Sequence, residues 1–221
     1  MRRVALWGAI FLALILSGSA RADWPGWIAD PKSGCKVWDP LFHPSASISW
    51  TGPCRNGLAD GHGILQWYDD KGAPTSRYEG DTHEGHINGH GVVTFAGGGR
   101  YEGDFVESLF NGHGVETWPN GSSYDGGFRD GQRSGQGVYT DASGFRYEGG
   151  WLDGKRNGHG VYTWANGDRY DGQYLAGTPN GFGTLTSAGG GISYEGDWND
   201  GCFKQGNLRA WIDQTKDGCG F

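Results

Sequence analysis

Apolar and polar residues alternate in short runs along most of this chain, and the runs recur at a fixed interval. Tyr101, Gly103 and Phe105 fall on one side of an extended segment, with Glu102 and Asp104 on the other, because successive side chains of a strand point to opposite faces. Tyr124, Tyr147 and Tyr170 reopen the pattern, each 23 residues after the last. An earlier copy opens at Tyr78, a longer 28-residue version at Trp50 and a truncated one at Tyr194, giving about seven units over residues 50–203. Self-similarity at such a period marks a repeat architecture, in which one unit cannot bury its own apolar face and stacks on its neighbours.

Within a unit the pattern predicts a β-hairpin. In the copy that opens at Tyr101, one strand runs over 101–106, a turn region over 108–112 and a return strand over 114–118, and Pro119-Asn120-Gly121 turns into the next unit. No segment carries a helical period, so the fold class is all-β. Stacking the units lines up like residues. One face of the opening strands receives the first aromatic and the residue four later, which is Thr82, Phe105, Phe128, Trp151, Tyr174 and Trp198 in turn. The other face receives Glu79, Glu102, Asp125, Glu148, Asp171 and Glu195, flanked by Arg77, Arg100, Arg146 and Arg169. Return strands add an aliphatic row and a threonine row. Ladders of this kind stabilise sheets by cross-strand pairing, and the expected product is one elongated, twisted, single-layer antiparallel sheet.

The motif Tyr101-Glu102-Gly103-Asp104-Phe105 followed by Asn111-Gly112-His113-Gly114-Val115 resembles the MORN repeat (membrane occupation and recognition nexus). Tyr147 to Trp151 with Asn157 to Val161 matches equally well. The copy at Trp50 departs most: Trp50 replaces the tyrosine, Thr51 the acid, and residues 69–74 lengthen it. The resemblance covers about residues 50–203. It implies a curved hairpin sheet used for protein association and, in some members, proposed lipid contact. It implies no reaction; in multi-domain relatives the chemistry belongs to a fused catalytic domain, and none is read in this sequence.

The ends read differently. Arg2 and Arg3, the 13-residue apolar run 4–16 and Ala20-Arg21-Ala22 have the order of a signal peptide over 1–22, with an uncleaved anchor as the rival reading. The run is too short for a spanning helix, which needs about 20 residues. The expectation is an exported chain, periplasmic or extracellular, soluble once the segment is removed. That segment holds three of the 18 basic residues and none of the 25 acidic ones, so its loss leaves 15 against 25, a balance of −10. Such a charge is repelled by phosphate backbones and anionic head groups, which excludes nucleic acid as a partner class. Residues 23–49, rich in tryptophan and proline, read as an irregular cap over the first strand, and 204–221 as a C-terminal cap.

Four cysteines in an exported chain suggest two disulfides, with three possible pairings. Two strands per unit at about 4.8 Å each put Cys54 and Cys202 on the order of 55 Å apart, whereas a bridge needs Cα atoms within about 7 Å. Cross-end pairings fail on distance. Cys35–Cys54 and Cys202–Cys219 remain, one staple for each terminal cap.

Candidate chemistry is thin. His62, His90, His113 and His159 form a row, but neighbouring rungs lie about 9.6 Å apart, too far to share a zinc ion bound at about 2.1 Å. Gln136 and Phe182 fill the same slot elsewhere. His83, His86 and His90, with Glu84, are the better metal candidate, although a weak one beside a solvated turn. The acid row offers carboxylates at an inverting-glycosidase spacing, but identical rungs supply no unlike environments to split their pKa values. The glycine strings lead into strands and lack the helix N-terminus that cradles phosphate. No enzyme, cofactor or small-molecule substrate is expected. What remains is the aromatic strip of Tyr101, Phe105, Tyr124, Phe128, Tyr147, Trp151, Tyr170, Tyr174, Tyr194 and Trp198. It either packs rung on rung or presents a groove for a protein partner or a second copy, with a carbohydrate or membrane surface as the alternative.

Overall fold

The 23-residue unit folds as an antiparallel hairpin, and successive hairpins stand side by side in one open sheet. The computed structural model describes residues 26–39, 47–191 and 193–220; the segment 1–22, read from the sequence as a signal peptide, lies outside the described residues. Five short strands come first: β1 (Trp27–Ala29), β2 (Lys36–Trp38), β3 (Ser47–Trp50), β4 (Cys54–Arg55) and β5 (Leu58–Ala59). The repeats follow as β6 (Gly61–Tyr68), β7 (Pro74–His83), β8 (His86–Thr94), β9 (Arg100–Val106), β10 (Leu109–Thr117), β11 (Ser123–Arg129) and β12 (Gln132–Thr140). They continue through β13 (Arg146–Leu152), β14 (Lys155–Thr163), β15 (Arg169–Leu175), β16 (Thr178–Thr186), β17 (Ser193–Asn199), β18 (Cys202–Gln205) and β19 (Leu208–Trp211). β3 and β6 through β19 pair in chain order as a 15-stranded sheet.

Turn chemistry fixes the register. Asp130-Gly131 and Asp153-Gly154 each adopt two positive φ values, 50° and 79° in one and 50° and 75° in the other, the type I′ geometry whose twist suits a hairpin. The copy from Tyr101 turns on Glu107 and Ser108 instead, at φ 49° and 65°. Its turn is therefore shorter and earlier than 108–112, and the return strand begins at Leu109. Gly112, with φ 61°, sits in a bulge between Asn111 and Gly114 rather than in the turn.

The opening tyrosines from Tyr78 to Tyr170 each lie across a pair of glycines. The Tyr147 ring covers Gly149 and Gly160, which face one another across the strand pair, and its hydroxyl donates to the Gly150 carbonyl at 2.9 Å. Tyr78, Tyr101 and Tyr124 make the same bond three residues on, at 2.8, 3.0 and 3.0 Å. Trp50 reproduces the arrangement: its ring overlies Gly52 and Gly63, and its indole N–H donates to Pro53 at 2.9 Å. Tyr194 does not. Phe203, not Tyr194, lies nearest the glycine of that last strand, and the pattern ends there.

The N-terminal region departs from an irregular cap over the first strand. β1, β2, β5 and β4 form their own four-stranded sheet. It grips the turn between β7 and β8, where the Trp38 amide donates to the Gly85 carbonyl at 2.8 Å and the Gly85 amide to Ala59 at 2.8 Å. β3 is itself the first strand of the long sheet, paired with β6. At the other end β18 and β19 extend the sheet by a hairpin instead of only closing it.

Cys35–Cys54 and Cys202–Cys219 are the disulfides, with Cα separations of 5.8 and 5.6 Å. The second spans 17 residues and ties the tail to β18. Replacing Cys219 by serine is expected to weaken this hairpin by about 3 kcal/mol, read as faster amide exchange over β18 and β19 with the central repeats unchanged.

Candidate functional site

The two faces of the sheet differ in kind. On the inner face the opening-strand rings form a continuous herringbone. Tyr101 meets Phe105 of its own strand at 5.2 Å and Phe128 of the next opening strand at 5.1 Å, both edge-on. Tyr124–Trp151, Tyr147–Tyr174 and Tyr170–Trp198 repeat the contact at 5.2 Å. Of the ten residues in the predicted strip, nine are buried, and Tyr194 is half-buried. Rung-on-rung packing consumes these rings, which form the core of the central repeats.

What reaches solvent on that face is a row not singled out from the sequence. Phe110, Arg133 and Arg156 pair in register with Phe105, Phe128 and Trp151 and are partly exposed, whereas Pro179, in the same slot opposite Tyr174, is buried. Phe110 stacks on Tyr101 at 3.7 Å and 7°. Arg133 takes the same place one repeat on, its guanidinium 5.0 Å from the Tyr124 ring, 4.9 Å from Trp118, 5.4 Å from Tyr139 and 5.3 Å from Trp151. Arg156 lies 5.8 Å from Tyr147, 5.3 Å from Tyr162 and 5.1 Å from Tyr174. Next come Trp118, Tyr139, Tyr162, Trp164 and Leu185, all partly exposed and packed on the core. The clue was register: the second residue after each two-residue turn must face the fifth residue of the opening motif, and that slot holds arginine twice.

Electrostatics follow burial. Burial pushes the Tyr124 hydroxyl up to about 12, partly offset by Arg133, and Tyr147 and Tyr162 likewise to about 12 against Arg156. Burial also raises the Glu116 carboxyl, with Arg133 pulling the other way. The two side chains stand 3.8 Å apart, each about one-fifth to one-quarter exposed. At the C-terminal end, Trp164, Asn166, Asp168, Leu185, Trp211 and Asp213 line an open cleft of about 460 Å³.

The outer face is a charged lattice. Arg77–Glu79, Arg146–Glu148 and Arg169–Asp171 pair along their strands at 2.7, 2.6 and 2.7 Å. His62, His90, His113 and His159 each contact a carboxylate on a neighbouring strand: Asp81, Asp104, Asp125 and Asp171, at 2.9, 3.4, 2.9 and 2.7 Å. Solvated pairs of this type contribute little each. His83, His86 and His90 do not converge. His83 approaches Asp60 at 3.7 Å, His86 lies against Trp27, Trp38 and Glu107, and His90 turns to Asp104. No group of three metal-ligating side chains comes together among the described residues.

Set beside known proteins, the repeats match the MORN repeat at residues 55–71, 78–100, 101–123, 124–146, 147–169 and 170–192. The chain belongs to the MORN repeat family. The MORN match falls on β4 to β16 and leaves out the last hairpin, where the tyrosine-over-glycine arrangement also stops. MORN repeats serve generally as binding or scaffolding modules rather than enzymes. No curated protein matches the chain in sequence. Among solved structures, the TCP domain of SAS-4 (dCPAP) of Drosophila melanogaster, in complex with a proline-rich motif of Ana2 (dSTIL), is 13% identical over 72% of this chain and 97% of that one. Its TM-score of 0.36 is too low to bear on function.

Proposed function

We propose that this chain is an exported, non-catalytic binding module that presents the return-strand row of its inner face to a protein segment. One observation carries the reading: the opening-strand rings are spent in the core, whereas Phe110, Trp118, Tyr139, Tyr162 and Trp164 remain partly exposed among the described residues. Aromatic and arginine side chains on a rigid sheet are the residues that dominate protein interfaces. The ten strip residues named from the sequence act as the floor that fixes this row. Export rests on the 1–22 signal pattern and on two disulfides, which persist in oxidising compartments. An anionic membrane surface is disfavoured by the acidic lattice of the outer face and by the −10 balance after the first 22 residues. A carbohydrate surface is the second reading, favoured by the cleft between Trp164 and Trp211 with its amide and carboxylates.

Affinity capture from the native extracellular or periplasmic fraction tests this. A variant with Trp118, Tyr139 and Tyr162 changed to serine is expected to lose the partner retained by the wild type. Equal capture by a variant of unchanged circular dichroism overturns the inner-face reading, and binding to a glycan panel alone moves the assignment to the cleft.

A further inference from the structure

Arg133 and Arg156 occupy equivalent slots one repeat apart, yet only one of them has its donors engaged. The Arg156 guanidinium donates to the Asp213 carboxylate at 2.6 Å and to the Gly177 carbonyl at 2.6 Å. Asp213 arrives from the C-terminal tail, following Trp211 and the buried Ile212. Arg133 has no such visitor. Four rings surround it, Glu116 approaches no closer than 3.8 Å, and among the described residues its guanidinium donates no hydrogen bond.

An arginine carries five donors in a planar fork that matches a carboxylate, and groups largely withdrawn from water ordinarily find partners. Covering the tyrosine does not account for it, because Phe110 does that one repeat earlier without a charge to desolvate. The fork is pre-oriented by its rings, so little rotamer freedom is lost when an acceptor arrives.

Resting on the inner-face reading above, we propose that Arg133 is the specificity-determining contact of that face, and that it takes the carboxylate of an extended peptide segment whose neighbouring residues are apolar. The chain's own Ile212-Asp213 on Arg156 is the intramolecular example of the ligand. Charge complementarity is local: Glu116 is held at a distance and its ionised form is disfavoured by burial, so the guanidinium faces a second carboxylate with little opposition.

The probe is a fluorescein-labelled octapeptide of the tail, Leu208-Arg209-Ala210-Trp211-Ile212-Asp213-Gln214-Thr215, titrated by anisotropy with the full chain, disulfides intact. Saturable binding is expected, weakened at least tenfold when the peptide carries Asp213→Asn and at least tenfold when the protein carries Arg133→Gln. The peptide substitution uses wild-type protein and is therefore immune to any folding defect in the variant. Saturable binding insensitive to Asp213→Asn overturns the carboxylate proposal and leaves the inner-face function standing. Absence of saturable binding also overturns it, and the capture experiment with the serine variant then decides the broader reading separately.

Discussion

A single methyl group at Gly160 is expected to cost about 3 kcal/mol. A Cβ built there lies 2.3 Å from the Tyr147 hydroxyl and 2.6 Å from its ring carbons. The ring cannot swing aside, because Trp151 and Tyr174 abut it edge-on at 5.2 Å on either side. Relief would require breaking the hydroxyl bond to Gly150 and spreading two rungs. Gly149 is closed off differently, since a Cβ there meets the Gly160 Cα at 2.4 Å and the His159 carbonyl at 2.6 Å. Gly97, in a link between hairpins, has no atom within 4 Å of such a Cβ, and Gly97→Ala should be neutral or slightly stabilising. Urea unfolding of Gly160→Ala and Gly97→Ala checks both; equal midpoints would refute the tyrosine-over-glycine account of the period.

The same tyrosines should make the protein fail sharply in alkali. Burial raises Tyr78, Tyr101, Tyr124, Tyr147 and Tyr170, with Tyr124 and Tyr147 at about 12. An unfolded tyrosine releases its proton near about 10. The folded state therefore holds protons that the unfolded state has lost, and the stability contributed is complete below pH about 10 and drains away as pH climbs toward about 12. Each such tyrosine contributes a slope of about 1.4 kcal/mol per pH unit in that window. Five acting together should give one steep unfolding step, in which phenolate absorbance and loss of sheet signal coincide. Gradual ionisation near pH 10 with the sheet intact would show that the rings are accessible in the folded protein.

The period was legible because the tyrosine and glycines that define it meet in space within one hairpin. Tyr147, Gly149 and Gly160 are separated by few residues, and their spacing is imposed by a strand, a two-residue turn and a bulge. The cysteine pairing was legible for a related reason, since a linear stack forbids contact between its ends. The turn was harder to place. Asp130-Gly131 announces itself, but Glu107-Ser108 does not, and Gly112 with its positive φ reads as a turn when it is a bulge. The exposed row was hidden because the opening aromatics are the more regular feature and regularity marked the core. The N-terminal sheet was hidden because β1 and β2 are three residues each and owe their conformation to partners up to about fifty residues away in sequence, at Gly57 and Gly85.

Strands in this sheet lie across its long axis, so the backbone hydrogen bonds that join neighbours run along that axis. Tension between the two ends would load one strand pair at a time, as in a zipper, rather than shearing a whole set at once. Each yielding unit frees 23 residues, roughly 75 Å of slack at about 3.3 Å per residue. The rungs carry that tension in series, so the weakest, outermost ones yield first, and the central repeats keep their sheet until those have peeled away.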